Sequence, residues 1–399
     1  MEPVRDWSTL IHEILEEIAK RILVVEDFMT FRGVCASLQA PATKDKFVQS
    51  LTGVPLLMLA EKGRNDEREF YSLLRRKIVM RLPLPEMKGK KCVEAGFEWF
   101  LTVSEPGEID LFNPRTCSQI QLPNCTAFPD FCNCKRKQLY KYTFMSRAAL
   151  SANPSHMSDF VVTVIYHAGT SLGFWRSGDL VWTKVEENTS DSFWWDIIHS
   201  NGKFFAITAS GGVCVWDESS PFVNVAQSAQ TEDTVARFVR VARVLFSIDV
   251  QLVDRREAYL VESSSGDLLV ITRDGIKHRE YLMYGVTNFK VIRLDLTKCK
   301  WEEISNLGMD AIFVGHSSAT SIVASAFSDV IKANCIYFTD DCFQSYAFEN
   351  RCGRGGGRFG VGGGEDMGIY NLEHGTITRF FSDILLSLSF ICPSVWISF

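Results

Sequence analysis

The sequence predicts a small all-α module, a helical hairpin or three-helix unit, followed by an all-β domain that forms a β-propeller. Before residue 48, apolar residues recur at helical spacing. From about residue 90, short apolar runs alternate with Gly, Asn, Asp and Pro turns, without a long helical pattern. We therefore expect a helical module at 1–48, a connecting segment at 49–89 and the β-domain at 90–399.

The first predicted helix has an apolar stripe on one face and charged residues on the other. Asp27 is then placed to cap a second helix, in which Phe28 and Phe31 begin the buried side. Because so short a unit buries little core, we expect part of the stripe to bind a partner. The stripe of the first helix consists of Leu10, Ile11, Ile14, Leu15, Ile18 and Ile22.

The β-domain is predicted from hairpins of one kind, each with an Asn or Asp near the end of its first strand. At ~40–50 residues per blade, the segment after residue 90 holds about six or seven blades. A stacked β-sandwich pair is the alternative architecture. The uncharged tail 384–399 is interpreted as a buried terminal strand. The four hairpins pair 107–114 with 120–122, 212–217 with 223–225, 289–295 with 300–304, and 367–371 with 377–380.

Composition and charge narrow the classes of function. The net charge of −6 gives no support to general nucleic-acid binding, which needs a concentrated basic face. No apolar run reaches the ~20 residues that span a bilayer, so we expect no membrane contact. The twelve scattered cysteines predict free thiols in a reducing compartment, the cytoplasm or nucleus. The cluster Cys117, Cys125, Cys132 and Cys134 lacks paired zinc-ligand spacing and is interpreted as loop thiols.

The N-terminal residues resemble an F-box, the motif that joins a substrate receptor to a Skp-family adaptor of a cullin-type ubiquitin ligase. The match consists of Trp7-Ser8-x-Leu10, Ile14-Leu15-x-x-Ile18, Arg21-Ile22, Asp27 and Phe31-Arg32-x-Val34-Cys35-x-Ser37. The chain departs from the family pattern at Ile11, where proline is usual, and at Leu38, where tryptophan is usual. The resemblance implies adaptor contacts at Leu10, Ile11, Ile14, Leu15, Ile18, Val34, Cys35 and Leu38.

A second resemblance covers most of the remaining chain. Motifs in matching order resemble the plant F-box proteins whose C-terminal part is a kelch-like propeller of the KIB type. The resemblance implies a substrate receptor with no chemistry of its own and no cofactor. The motifs include 94–100 (EAGFEWF), 111–114 (LFNP), 201–206 (NGKFFA), 259–263 (YLVES), 311–315 (AIFVG), 334–341 (NCIYFTDD) and 393–396 (PSVW).

Other motifs suggest chemistry but lack the context that this chemistry needs. Residues 315–319 (GHSSA) have a serine after a strand, yet no βαβ sheet with acid and histidine partners follows. Asp340-Asp341 and Glu365-Asp366 lack the ligand spacing of a calcium loop and are interpreted as turn carboxylates. The seven histidines form no metal-binding pair. The Gly-rich loop 353–364 with its arginines is interpreted as an insertion rather than an RNA-binding tract.

These observations predict the substrate-recognition subunit of a Skp–cullin–F-box E3 ubiquitin ligase. The N-terminal stripe would bind the adaptor, and through it the cullin, while propeller loops hold a protein target. The alternative is a propeller scaffold that acts without a ligase, because Ile11 and Leu38 replace the usual adaptor contacts. A propeller enzyme with Ser317 as nucleophile is the third hypothesis. Trp175, Trp194 and Trp195 are expected to pack between sheets rather than bind the target.

Overall fold

Among the residues that the computed structural model describes, the strands form six sheets. Each sheet is one blade of a β-propeller, and blades are numbered here from the N-terminus. The described residues are 12–21, 31, 54–61, 66–104, 106–131, 144–185, 193–217, 239–243, 255–278, 283–295, 300–316, 319–327, 330–340, 366–379 and 394–398.

The first three blades have four strands each. Blade 1 contains β1 (Leu56–Met58), β2 (Glu67–Ser72), β3 (Lys77–Pro83) and the last strand of the chain, β25 (Val395–Ile397). Blade 2 contains β4 (Lys91–Gly96), β5 (Trp99–Val103), β6 (Ile109–Asn113) and β7 (Ser118–Leu122). Blade 3 contains β8 (Met145–Leu150), β9 (Val161–Tyr166), β10 (Ser171–Arg176) and β11 (Thr183–Lys184).

Blades 4 and 5 repeat the four-stranded antiparallel pattern, and blade 6 has a fifth strand. Blade 4 contains β12 (Trp194–Ser200), β13 (Lys203–Thr208), β14 (Gly212–Asp217) and β15 (Val239–Arg243). Blade 5 contains β16 (Arg255–Glu262), β17 (Leu268–His278), β18 (Met283–Asp295) and β19 (Lys300–Ile304). Blade 6 contains β20 (Asp310–Val314), β21 (Ala319–Val323), β22 (Cys335–Phe338), β23 (Gly368–Asn371) and β24 (Thr376–Arg379).

The ring closes by pairing the two ends of the β-domain. Strand β25 pairs antiparallel with β1, with Trp396 opposite Leu57, and becomes the innermost strand of blade 1. This pairing confirms the predicted terminal strand at 395–397. It also corrects the expected organisation of the N-terminal half, because β1, β2 and β3 lie in the segment 49–89, which the sequence predicted as a connection. The propeller architecture with six blades excludes the β-sandwich alternative.

Blade 6 departs from the simple meander. Strand β21 pairs antiparallel with β20 on the inner side, whereas β22 pairs parallel with β20 on the outer side. After β21, a 3₁₀ turn (Ala324–Phe327) begins the connection that returns the chain to the start of β20. The backbone N–H of Asn334 accordingly donates to the carbonyl oxygen of Asp310 at 2.8 Å. The hairpin pattern in the sequence did not predict this parallel pair.

Three of the four predicted hairpins are present: β6 with β7, β18 with β19, and β23 with β24. In the fourth, β14 pairs with β15, while the predicted partner 223–225 lies outside the described residues. The predicted asparagine signals are structural. The side-chain oxygen of Asn113 accepts the N–H of Arg115 at 2.9 Å, and that of Asn371 accepts the N–H of His374 at 2.9 Å.

The core lies between adjacent sheets, because propeller strands are covered on both sides. Every residue of β9 is buried, which explains its continuous apolar run VVTVIY. Trp175 and Trp194 are buried in the clusters that join neighbouring blades, and Trp195 is partly buried against a third cluster. The prediction that these tryptophans pack between sheets is therefore confirmed.

The N-terminal part of the described chain is the helix α1 (His12–Arg21). Its residue Ala19 is buried and belongs to a hydrophobic cluster that also contains Leu84, Met87 and Cys92 from the junction of blades 1 and 2. Phe31 packs partly buried against the same cluster. The predicted second helix otherwise lies outside the described residues. The described helix is too short to cross a membrane.

Candidate functional site

The strand order places successive loops on opposite faces of the propeller. Face A carries the turns that follow β4, β8, β12 and β16, together with the turns after β6 and β10. Face B carries the turns after β5, β9 and β13 and the connections between blades, except that the connection from blade 5 to blade 6 ends on face A. The start of β20 lies on face A, since the N–H of Ser264, in the turn after β16, donates to Asp310 Oδ2 at 2.9 Å.

A cavity of about 440 Å³ occupies the propeller centre and opens on face A. All six inner strands contribute to its wall, since it is lined by residues of β4, β8, β12, β16, β21 and β25. Phe97, from the turn after β4, and Asn153, from the turn after β8, lie at its mouth. The cavity therefore depends on closure of the whole ring.

The wall of this cavity carries three carboxylates, Glu94, Glu98 and Asp196. Arg147 in β8 pairs with Asp196 at 3.3 Å, and Arg115 pairs with Glu98 at 3.2 Å. Glu94 Oε1 accepts the N–H of Gly96 at 2.9 Å. Burial raises the pKa of Glu94 to about 7; the Gly96 hydrogen bond opposes this shift and the charge of Asp196 adds to it. The Glu94 carboxyl group therefore gains or loses its proton at a pH near 7.

Beneath the carboxylates, buried basic side chains link the inner strands around the central cavity. Lys91 Nζ donates to His316 Nε2 at 2.6 Å, which requires the second ring nitrogen of His316 to carry the proton. Arg147 donates to the main-chain oxygen of His316 and so joins β8 to the end of β20. Asp196 also accepts the N–H of Leu260 at 2.8 Å. This network ties together the inner ends of blades 2, 3, 4, 5 and 6.

The same network gives the motif 315–319 a structural role. His316 is buried against Lys91, and Ser317 lies outside the described residues. Gly315 follows β20 and precedes β21, so the motif occupies a strand-to-strand turn rather than the strand-to-helix turn of a hydrolase. The hypothesis of a Ser317 nucleophile therefore gains no support from this backbone arrangement.

Exposed apolar side chains gather on face A. Among the described residues of the propeller, face B has one exposed large apolar side chain, Phe193. Those on face A surround the cavity mouth or lie on the outer loops of blade 3. They are Phe97, Met157, Leu180, Val181, Met309 and Val323, which we call the apolar rim.

Helix α1 gives the placement of three predicted adaptor contacts. Ile14 is 44% exposed, Ile18 is half-buried and Leu15 is 2% exposed. The protein therefore covers Leu15 itself, so that Ile14 is the most accessible of the three. The remaining predicted contacts, Leu10, Ile11, Val34, Cys35 and Leu38, lie outside the described residues.

The cysteines and turn carboxylates that the sequence singled out also have defined positions where the structure describes them. Burial raises the pKa of the Cys125 thiol to about 12, and Cys117 is exposed; Cys132, Cys134 and the Gly-rich loop 353–364 lie outside the described residues. Asp366 is buried and pairs with Arg273 at 2.9 Å, and its N–H donates to Asp340. In the described part of the chain, no three potential metal ligands lie together.

The sequence did not identify the cavity. Its one local signal is Glu94, an acidic residue within the apolar strand β4. Asp196, Leu260 and Trp396 come from strands far apart in the chain, and only their topology brings them to the same axis.

Comparison with known proteins gives one family and several relatives. The family model described as KIB1-4 beta-propeller matches residues 70–371. The Arabidopsis thaliana protein F-box protein SKIP23 is 22% identical, over 93% of this chain and 90% of its own length. F-box protein At2g26160, from the same plant, is 24% identical over 85% of this chain and 97% of its own length. F-box/kelch-repeat protein At1g57790, also from Arabidopsis, is 25% identical over 85% and 84%, respectively.

Proposed function

Since the chain belongs to the KIB1-4 beta-propeller family, we propose that it is the substrate-recognition subunit of a Skp–cullin–F-box ubiquitin ligase. Its relatives named as F-box proteins support this proposal, because their similarity extends over most of both chains. The N-terminal module would bind the Skp-family adaptor and, through it, the cullin. The propeller would bind a protein target, and the chain itself would carry out no chemistry.

The observation that carries the proposal is the two-sided packing of α1. Leu15 and Ala19 are buried within the chain, while Ile14 leaves an apolar surface open on the same helix. The cluster containing Ala19 includes Leu84 and Met87, which lie in the connection from β3 to β4 on face B. Membership of this cluster favours an adaptor site beside the junction of blades 1 and 2, because none of the residues in the cluster lines the central cavity.

The proposed mechanism is geometric. A receptor that holds its target beside a ubiquitin-loaded enzyme raises the effective concentration of the two reacting groups. Two separate binding surfaces on one rigid body suit this role, because the propeller fixes the distance between them. The buried network around Arg147 and His316 supports such rigidity at the centre of the ring.

Co-purification with a Skp-family adaptor tests the proposal. We expect the full-length chain to form a complex that Ile14→Asp abolishes, because a carboxylate on the apolar surface would lose its hydration on binding. Val323→Asp is a matched control, since Val323 is 43% exposed and Ile14 is 44% exposed. This control variant should retain the adaptor. A wild-type chain without adaptor, or a complex unaffected by Ile14→Asp, would contradict the ligase function.

The alternative function is a propeller scaffold that acts without a ligase. Ile11 and Leu38 favour it, because they replace the proline and tryptophan usual in the F-box pattern. The same co-purification separates the two functions. A scaffold would recover target proteins through the propeller but no Skp-family adaptor, whereas the ligase subunit would recover both.

A further inference from the structure

We propose that the central cavity on face A binds a lysine or arginine side chain from a segment of the target protein. The inference deepens the receptor function proposed above and rests on it for the identity of the partner. It concerns a site inside the ring rather than the outer loops.

The charge of the wall selects a cation. Glu94, Glu98 and Asp196 line the cavity, and its described lining contains no lysine or arginine. Arg115 and Arg147 already pair with Glu98 and Asp196, respectively. Glu94 is different, since no ion pair of the described residues includes it. A partly buried carboxylate without a counter-ion is unfavourable, and an incoming ammonium or guanidinium group would relieve this cost through a charge-assisted hydrogen bond.

The ionisation of Glu94 agrees with this geometry. Its pKa of about 7 shows that burial and the nearby Asp196 charge outweigh the Gly96 hydrogen bond that favours the charged form. A bound cation would act in the opposite direction and hold Glu94 ionised. The free protein therefore carries a carboxyl group that gains stabilisation from a positive ligand, whereas an anionic ligand would gain none from it.

The shape of the cavity suits a single long side chain. Its volume of about 440 Å³ lies within the ~300–1,000 Å³ typical of ligand sites. Apolar residues of the wall, including Leu150, Ile198 and Trp396, can contact an aliphatic stem while the carboxylates contact its charged end. Arginine and lysine combine such a stem with a terminal cation.

The surface around the mouth favours a protein segment over a free small cation. Phe97 lines the cavity and is also 47% exposed, and Met157 and Val323 of the apolar rim are exposed on the same face. A small cation would leave these side chains in water. A peptide would instead cover them with the residues that flank its basic side chain, and apolar burial would add to the ionic contact.

The test measures binding of two peptides by the full-length chain in complex with its adaptor. The probe is acetyl-Gly-Leu-Arg-Leu-Gly-amide, and its comparison is the same peptide with citrulline, which keeps the shape of arginine but is uncharged. Isothermal titration calorimetry should show binding of the arginine peptide, with at least roughly tenfold weaker binding of the citrulline peptide.

Variants of the chain locate the binding. Glu94→Gln keeps an acceptor for the Gly96 N–H and should weaken binding of the arginine peptide by roughly tenfold or more. Thr320→Trp places a large side chain into the described cavity wall and should block both peptides. Glu67→Gln is the matched control, since Glu67 is an exposed carboxylate at the start of β2 on face B, and it should bind as the wild type does.

Three results would overturn the proposal: absence of arginine-peptide binding, equal binding of the citrulline peptide, or wild-type affinity in both Glu94→Gln and Thr320→Trp. The receptor function is judged separately, because co-purification of the adaptor depends on Ile14 and not on Glu94. If the wild-type chain retains the adaptor but does not bind the arginine peptide, the cavity proposal fails while the ligase function stands.

Discussion

Glu94 is an acidic residue inside a strand whose neighbouring residues are mostly buried, and its surroundings determine its ionisation. The groups around it are Asp196 and His199 from β12, Glu98 from the turn after β4, and Arg147 from β8, which pairs with Asp196. Burial contributes most to the raised pKa, and Asp196 contributes further in the same direction. A residue in this state makes stability depend on pH near neutrality.

We expect Glu94 to lower the free energy of unfolding as the pH rises from about 5 to 8. Its pKa is about 7 in the folded chain but near the ordinary 4.5 when unfolded, so between these values the folded state binds more protons. Stability from this group is therefore fully present below pH 4.5 and is lost as the pH passes through 7. Urea unfolding across this pH range should show that the free energy of unfolding declines less steeply with pH in Glu94→Gln than in the wild type.

The free energies of unfolding of the wild type and Glu94→Gln must be subtracted at each pH, because other groups titrate in both proteins. Glu67→Gln serves again as control and should retain the wild-type pH dependence, since Glu67 is exposed. A parallel pH dependence in wild type and Glu94→Gln would show that Glu94 ionises normally in the folded protein.

At the scale of elements, buried ion pairs join the blades. Arg273 in β17 donates to the main-chain oxygen of Thr339 at 2.7 Å and to Asp366 Oδ2 at 2.9 Å. Asp366 also accepts the N–H of Val286 at 2.9 Å. These contacts link blade 5 to the segments that follow β22 and precede β23 in blade 6, beside the unusual parallel pair. They stabilise the interface between blades 5 and 6.

We expect Asp366→Ala to cost on the order of 3–5 kcal/mol in the free energy of unfolding, because it leaves the buried Arg273 guanidinium without its carboxylate. The control is Glu302→Ala, which removes an exposed carboxylate paired with Arg293 and should leave the free energy of unfolding almost unchanged. Chemical denaturation measures both, and Asp366→Asn offers a milder variant. Equal small losses for Asp366→Ala and Glu302→Ala would contradict this role.

The sequence predicted local elements better than their assembly. Hairpins such as β6 with β7 were predictable because alternation and the Asn113 turn are local signals. The parallel pairing of β20 with β22 was not, since it depends on the chain passing from the inner side of β20 to its outer side after β21. The segment 49–89 was interpreted as a connection, but its strands form a blade through pairing with β25, at the other end of the chain.

The cavity illustrates the same limit at the site. Glu94, Asp196 and Trp396 are separated by long stretches of sequence, and no local pattern places them on one axis. The apolar stripe of the first helix was predictable from helical spacing, yet its spacing alone did not show that Leu15 is buried and Ile14 exposed. Burial depends on what packs against a helix, which a single segment does not encode.

At the scale of the whole molecule, the propeller separates two surfaces. The cluster that contains Ala19 lies at the junction of blades 1 and 2 and contributes no residue to the cavity, while the cavity and the apolar rim open on face A. The central network between Lys91, His316, Arg147 and Asp196 crosses the ring between them. A receptor that binds an adaptor and a target at once requires this separation.

Hydrogen–deuterium exchange of the full-length chain, with and without a saturating Skp-family adaptor, tests the proposed receptor organisation most directly. We predict added protection within α1 (His12–Arg21) and unchanged exchange in the face A turns at 97–98, 151–160 and 263–267. The Val323→Asp control should give the same pattern, and Ile14→Asp should remove the protection. Unchanged exchange in α1, or adaptor-dependent protection confined to face A, would contradict a receptor with its attachment helix separate from its target surface.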